Sequence, residues 1–558
     1  MSARTRHTIL AALGLGAALI LLLYPQVRHL DYVPDLGDPL FSVWRVGWVN
    51  HQLFTDPRHL FDANIFHPER LTLTLSDPIV LPSMMAAPLL AVGIHPVVVY
   101  NLLLLSAFWL SGIAVYVLVD RLTASPRAAF IAGLIYACCG YRFDHYSHLE
   151  LQMTQWMPLG LLALHLLIGR DQDSGIRKPE AIIRTPNRWW YALAFAAALV
   201  AQLYSSMYYA VFFVVYAALI GAGLLIVHRP SVRRLVLPLL VSAAVAAMAA
   251  IPLVRAFAAA EPMKGERPVG EIRYYSAVPD DYLRVNRYNV VWRNVLHRPA
   301  PERTLFPGAA PFLLAGVGIA PPFGGISLIY TAALLFSFDG TLGLNGVAYP
   351  FLYRWLSPLH GLRVPARFGA LVAMTLALLA GFGARRVLAW RSSRTYQYTA
   401  FAALVVFVMI DAWPALALRP VWKEPPTIYQ VLKYTPNVVI AEMPLLEDET
   451  GNIPFMYFSL WHWTRMVNGY SGFIPNSYAE FRKQMVFFPD ATSIAALRSR
   501  GVKYVSVNCG LIYPGCDEIM DAMRHDTRLR LAADTQWNGH TVQLYEVLAP
   551  DPNQVRGR

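Results

Sequence analysis

The chain has 558 residues, of which 56% are hydrophobic and only 15% charged, and its mean hydropathy is +0.40. Soluble domains carry roughly 25% charged residues, so this composition excludes a purely soluble protein and describes a membrane protein with polar mass attached. The formal charge of +12 does not mark a nucleic-acid-binding face, because the arginines fall in short blocks between apolar runs, where they set orientation.

In chain order, residues 8–23 follow Arg4 and Arg6 and lack a clean small-residue cleavage site. They read as an uncleaved first helix rather than a signal peptide. Further apolar runs lie at 96–119, 127–141, 150–169, 189–204, 208–228, 234–256, 308–320, 326–338, 368–384 and 397–418, which makes about eleven spans. Several fall short of the ~20 residues a bilayer asks of a helix. Residues 79–93 carry Pro82 and Pro88 and read as a surface-lying or re-entrant helix.

With the N-terminus placed in the cytoplasm, the connections 120–127, 169–188, 228–234 and 384–394 fall inside and hold two, five, three and four Lys/Arg. That agrees with the positive-inside rule. The short outer connections at 142–149 and 205–207 hold only Arg142. The expected fold class is therefore a multi-pass α-helical membrane protein, with a transmembrane domain over 1–418. Its polar mass lies outside, in a first loop at 25–95, in loops 258–307 and 339–367, and in the tail. The tail alternates strand-like runs (438–445, 501–509, 541–547) with a helical one (493–500) and reads as a small outer α/β domain over 419–550, followed by a disordered end at 551–558.

The first outer loop opens with VPDLGDPLFSVWRVGW (33–48), which offers Asp35 and Asp38, the latter between Gly37 and Pro39. Phe41, Trp44, Val46, Trp48 and Phe54 follow in an amphipathic stretch suited to resting on lipid headgroups. NIFHPERLTLTLSDP (64–78) adds His67, Glu69 and Asp77. A carboxylate presented at a membrane surface suits chemistry on a lipid-linked substrate.

Farther along, His148 and Glu150 in HYSHLELQ are expensive in lipid and should face a cavity. Loop 258–307 mixes Arg273, Arg284, Arg287 and Arg293 with Tyr274, Tyr275 and Tyr282, a composition fit for sugar and phosphate contacts or for ordinary loop packing. Asp280 and Asp281 in it read as solvated. GLRVPARF places Arg363 and Arg367 just before a span, at the depth of a lipid phosphate; snorkelling to headgroups is the alternative. Asp411 is the main acid within an apolar run. YFSLWHW (457–463) reads either as a carbohydrate platform or as a packed strand.

Cys138 and Cys139 sit in an apolar run as inert packing, whereas Cys509 and Cys516 can pair in an oxidising compartment. No phosphate-binding G-x-x-x-x-G-K-[ST] and no G-x-S-x-G elbow occurs, which disfavours a nucleotide-sugar donor and serine hydrolase chemistry. Asp38, His148 and Glu150 or Asp77 have no metal-ligand spacing.

The segments GDPLFSVWRVGW (37–48), FDANIFHPE (61–69), YRFDHYSHLELQMTQWMPL (141–159), LHGLRVPARFG (359–369) and MYFSLWHWTRMVNGYSGFIPNSY (456–478) together resemble the multi-pass glycosyltransferases of the GT-C fold. Those enzymes use polyprenyl-phosphate-linked sugars, and the chain looks most similar to a bacterial branch related to YfhO-type membrane proteins. The resemblance implies an inverting sugar transfer from a polyprenyl-phosphate donor to a lipid- or protein-linked glycan acceptor, on the outer face of the bacterial cytoplasmic membrane.

It also implies a first-loop acid as general base, matched by Asp38 with Asp35 as alternative. Arg363 and Arg367 would hold the donor phosphate, with His148, Glu150, Asp77 and Arg273 as further substrate contacts. The paired Asp-Glu of better-studied members is missing from the first loop. Metal dependence varies within this fold, so no cofactor is assigned and a divalent cation (Mg or Mn) stays open. The expected partners are the donor, the acceptor and membrane lipids, not nucleic acid. The rival readings are a non-catalytic scaffold or assembly protein that keeps the frame, and a lipid or glycan transporter or flippase.

Overall fold

The computed structural model describes residues 2–169, 188–230, 233–264, 267–443, 445, 449–511 and 515–550. The basic connection at 169–188 and the tail end at 551–558 therefore lie largely or wholly outside the described residues. The chain divides into two compact units, one of Met1–Leu30, Asn101–Pro252 and Glu266–Leu418, the other of Asp31–Tyr100, Leu253–Gly265 and Arg419–Arg558. This corrects the expected boundaries. The tail does not stand as a unit of its own; it is built together with the first loop and a short segment at 253–265.

The first unit is helical. Seven described helices are long and apolar enough to cross a membrane: Arg4–Leu22, Pro96–Thr123, Leu149–Ile168, Met207–His228, Arg233–Ala259, Gly325–Asn345 and Pro365–Ala389. The expectation of about eleven counted four further apolar runs that do fold as helices. Pro126–Ala137 and Ala309–Ile319 have only 12 and 11 residues, too few to span. Arg188–Ser205 and Arg394–Asp411 reach 18 residues but carry polar groups at their ends. Pro365–Ala389 is the central helix, with 94% of its apolar window buried, whereas only 17% of the Arg233–Ala259 window is buried.

Buried polar contacts join the helices of this unit. Tyr216 and Thr375 share a 2.8 Å hydrogen bond, as do His165 and Tyr330, the type of interhelical bond that steadies bundles where water is absent. Ala309–Ile319 packs closely on the central helix through glycines. A Cβ on Gly383 would lie 1.9 Å from the Leu314 carbonyl oxygen, and one on Gly318 would lie 2.1 Å from that of Leu379. Only hydrogen fits there.

The second unit centres on the helix Asp38–Thr55, whose residues from Pro39 to Asn50 are all buried. Phe41, Trp44, Val46 and Trp48 are thus core residues, not anchors resting on headgroups; of that set only Phe54 is exposed. The helix is buried on every face, which an amphipathic reading of its sequence could not anticipate. Val80–Ala91 is a 12-residue helix with Pro88 inside it, too short to cross a membrane.

The tail forms a mixed sheet. With β1 (Tyr32–Val33) paired to β2 (Arg419–Pro420), the larger sheet holds β3 (Val439–Met443), β4 (Arg465–Met466), β5 (Tyr504–Asn508), β6 (Leu529–Trp537) and β7 (His540–Val547) in the order β4-β3-β5-β7-β6. β3 runs parallel to β4 and β5, and β7 runs antiparallel to β5 and β6. β6 and β7 are joined by Asn538-Gly539, both at positive φ, the turn chemistry a two-residue hairpin demands. Cys509 and Cys516 form a disulfide, and Cys138 and Cys139 are free and buried. YFSLWHW is helical over Tyr457–Trp461, so it is not a strand.

The glycine contact generates a prediction. Gly383→Val must push two helix backbones apart, and overpacking of this kind costs about 1–3 kcal/mol or more. The thermal unfolding midpoint in detergent should fall clearly below that of Gly316→Ala, where nothing lies within 4 Å of the new methyl group. Equal midpoints for the two variants would contradict this packing.

Candidate functional site

Each unit gathers part of the predicted site residues. In the second unit, Asp35 and Asp38 play different roles. Asp35 Oδ1 accepts the Gly37 backbone N–H at 2.9 Å, an Asx-type turn that shapes the entry to the helix. Asp38 occupies the first turn of that helix, where the helix dipole favours a negative charge. Its Oδ1 accepts from the Tyr470 hydroxyl at 3.4 Å, and the Tyr470 ring meets Phe41 edge-on at 5.1 Å.

One turn beyond Phe41, Arg45 is fully buried. Its guanidinium lies 4.3 Å over the Phe41 ring, donates to the Asp77 carbonyl at 2.8 Å and to the Ser42 hydroxyl at 2.9 Å. Asp38, Phe41 and Arg45 are spaced three and four residues apart, so they share one helix face. That spacing was available in the sequence, but Arg45 was not singled out because an arginine in an aromatic run reads as a headgroup contact. Asp77 is buried beside it.

In the first unit, the outer-connection motif forms a buried polar cluster. Arg142 donates to Thr154 Oγ1 at 2.8 Å and to the Gln152 carbonyl at 3.1 Å. Gln152 in turn donates to the carbonyls of Arg142 and His145. These bonds hold residues 140–154 in a compact knot. Out of the knot project Asp144, His145 and His148, with the His145 and His148 rings 5.8 Å apart. Glu150 is buried at its base.

Facing them is Glu302, which the sequence did not mark. It accepts two hydrogen bonds from Arg367, Nε at 3.0 Å and Nη2 at 2.5 Å, and its Oε2 lies 3.8 Å from His145 Nδ1. The Arg367 guanidinium also lies 4.7 Å over the Tyr208 ring. Arg367 is thus engaged on two sides. Arg363 is freer: it is about one-third exposed, 3.7 Å from Glu271, and stacked 5.1 Å over Tyr275. Arg273 is exposed on the helix Val269–Tyr274 and joins neither cluster.

The electrostatics of the cluster follow from its burial. Desolvation pushes His145 down to about 3 despite the nearby Glu302 carboxylate, so the imidazole is neutral, and among the described residues its Nε2 meets no hydrogen-bond partner. Burial and then the Glu302 charge push Asp144 up to about 7. Burial also opposes ionisation of Glu302, but Arg367 and His145 outweigh it and hold the carboxyl well below the usual range.

The other acids of this unit are structural. Asp281, expected to be solvated, is fully buried and pairs with Arg284 at 2.7 Å while accepting the Val278 N–H. Asp411 accepts the N–H groups of Ala309 and Ala310 at 3.0 Å and the Trp292 indole N–H at 2.7 Å, so it caps the helix Ala309–Ile319. Among the described residues no group of three or more His, Cys, Asp or Glu is arranged to hold a metal ion.

Comparison with solved structures bears on the fold. The apo crystal structure of ArnT from Cupriavidus metallidurans matches with a TM-score of 0.51 at 11% identity, covering 99% of this chain and 100% of that one. At this identity the likeness establishes the fold alone. Residues 44–282 match a family described as a domain of unknown function (DUF6311). No curated protein matches the chain.

Two predictions follow from the buried cluster. Glu302→Gln leaves Arg367 buried without its counter-charge, a change that costs roughly 3–5 kcal/mol; the unfolding midpoint should drop steeply, and an unchanged midpoint would remove the pair from the structural core. For Asp144 the folded pKa is raised above an unfolded value of about 3.9, so its contribution to stability is present in acid and is lost as pH rises toward about 7. Asp144→Asn should therefore gain on wild type between pH 4 and 7, and the gap should stay constant above that. Parallel curves across the range would show that Asp144 titrates normally.

Proposed function

We propose that the chain is a GT-C-type membrane glycosyltransferase that moves a sugar from a polyprenyl-phosphate donor to a glycan acceptor on the outer face of the bacterial cytoplasmic membrane. The ArnT-like fold and the membrane-length helices support the frame. The disulfide Cys509–Cys516 supports an oxidising, outer location for the tail. The observation that carries the reading is the division of labour between the two first-loop acids. Asp35 shapes the turn through Gly37, and Asp38 stands in the first turn of the helix with the Tyr470 hydroxyl on its carboxylate.

In the proposed reaction, Asp38 accepts the proton of the acceptor hydroxyl as that oxygen attacks the anomeric carbon. The bond between that carbon and the phosphate oxygen breaks, and the lipid phosphate leaves with the electron pair. One carboxylate suffices for such an inverting displacement. Of the two arginines expected to hold the donor phosphate, Arg363 is the one with a partly exposed guanidinium, whereas Arg367 is committed to Glu302. Arg367 then serves as a positioning residue. Metal chemistry forms no part of the proposal.

The test is turnover by purified protein offered a panel of radiolabelled polyprenyl-phosphate sugars. Asp38→Asn should bind donor and lose roughly 100- to 10,000-fold in turnover, the range a general base contributes. Asp35→Asn, which keeps a side-chain acceptor for the turn, should lose far less. Full activity in Asp38→Asn would sink the assignment of the base. Absence of donor turnover by folded wild-type protein across the panel would favour the scaffold reading.

A further inference from the structure

A cleft of about 450 Å³ lies wholly within the second unit and belongs to none of the clusters above. Three separate stretches of chain line it: Glu69 and Arg70 of the first loop, Ala260 and Met263 at the end of the span Arg233–Ala259, and Asn476 and Ser477 of the tail. The Ser477 hydroxyl donates to Glu69 Oε1 at 2.6 Å, and the Ser477 carbonyl accepts from Arg500 at 3.1 Å. The carboxylate is thereby fixed in direction. Arg70 and Asn476 are exposed, and among the described residues neither has a protein partner for its side chain. The volume is that of a pocket for a ligand larger than one small ring.

We infer that this cleft binds the acceptor of the transfer, and that the acceptor is a glycan carried on a phosphate-bearing lipid. This rests on the glycosyltransferase reading above. A fixed carboxylate beside a free carboxamide matches sugar hydroxyls, which donate to the one and exchange both kinds of bond with the other. A free guanidinium is a bidentate phosphate ligand. The apolar wall, Ala259 with Ala260, Pro262 and Met263, continues from the last turn of a helix long and apolar enough to cross a membrane, which suits a ligand that carries a lipid chain. A protein-linked glycan would have no use for that wall.

The phosphate in this cleft is not the donor's. A donor phosphate is bonded to the reacting carbon and must lie beside the base, yet neither Asp38 nor Tyr470 lines the cleft. The two places are nevertheless joined by a short piece of chain. Tyr470, on Asp38, and Ser477, on the cleft wall, are seven residues apart, at most roughly 25 Å of extended backbone. An oligosaccharide anchored at Arg70 can reach the base.

The experiment is equilibrium binding to the full-length protein in phosphatidylcholine nanodiscs. The probes are farnesyl pyrophosphate and farnesyl-pyrophosphoryl-N-acetylglucosamine. Wild type should bind both. Arg70→Gln should weaken both at least tenfold, and Glu69→Gln should weaken only the sugar-bearing probe. A farnesyl monophosphate sugar, the donor type, should not displace either. Arg70 is exposed, so its variant should keep the wild-type unfolding midpoint.

Failure of wild type to bind either probe, or unchanged affinity in Arg70→Gln, overturns the inference. Equal competition by free chitobiose makes the cleft a site for unlinked glycan, and displacement by the donor-type probe makes it the donor's. The Asp38→Asn turnover assay decides the larger reading separately. Turnover without probe binding defeats the cleft alone, and probe binding without turnover defeats the transferase.

Discussion

The second unit depends on one constraint: segments four hundred residues apart in the chain must satisfy each other's backbone hydrogen bonds. Phe66 N–H donates to the Asn468 carbonyl, His67 N–H to that of Met466, and Met466 N–H to that of Asn64, at 2.8–3.1 Å. Asn64 extends the strap through its side chain, donating to the Thr464 carbonyl and accepting the Trp44 indole N–H. Buried peptide groups must be paired somewhere. Here the first loop finds its partners in the tail, and the helix Asp38–Thr55 is held by the same bonds. Asp38 therefore owes its position to residues that follow it by more than four hundred places. Neither segment alone would present it in the same way.

In the first unit the corresponding constraint is charge. Arg142, Arg367, Asp281 and Asp411 are all buried, and each is used up by specific partners: Arg142 by the 140–154 knot, Arg367 by Glu302, Asp281 by Arg284, Asp411 by a helix start. Burying such groups is costly unless they are paired and hydrogen-bonded, so their presence fixes geometry around them. That distinguishes them from Arg363, which is about one-third exposed and only loosely paired, 3.7 Å from Glu271. Exposure with incomplete pairing is the better sign of a group kept for a ligand. By the same standard Arg70 and Asn476 stand out, and the buried acids do not.

Much of this was legible in the sequence where the signal is local. Apolar runs became helices, the runs at 438–445, 501–509 and 541–547 became β3, β5 and β7, and Asn538-Gly539 in hindsight marks the hairpin that adds β6. The count of spans is least determined where a run is apolar but short, as at 308–320, which folds as the 11-residue helix Ala309–Ile319. The aromatic face of the first loop was misplaced for a related reason: a helix buried on all sides and one lying on lipid can carry the same tryptophans. The missing element in each case is what covers the helix, and that is a tertiary fact.

Glu302 is the harder case. It sits in PERTLF, in a loop rich in charge, at a positive φ of 60°, and nothing in its neighbourhood separates it from Glu271 or Asp280. Its role comes only from folding, when Arg367 and His145 arrive from segments 65 and 157 residues away. Asp38 and Asp35 present the opposite situation, two acids three residues apart that the sequence names directly, Asp38 first and Asp35 as the alternative. What folding adds is one hydrogen bond. A carboxylate oxygen that closes its own turn on Gly37 sets the backbone that delivers the next carboxylate to the head of a helix. The pair is then a single device, with one acid building the turn and the other set by it in the first turn of the helix.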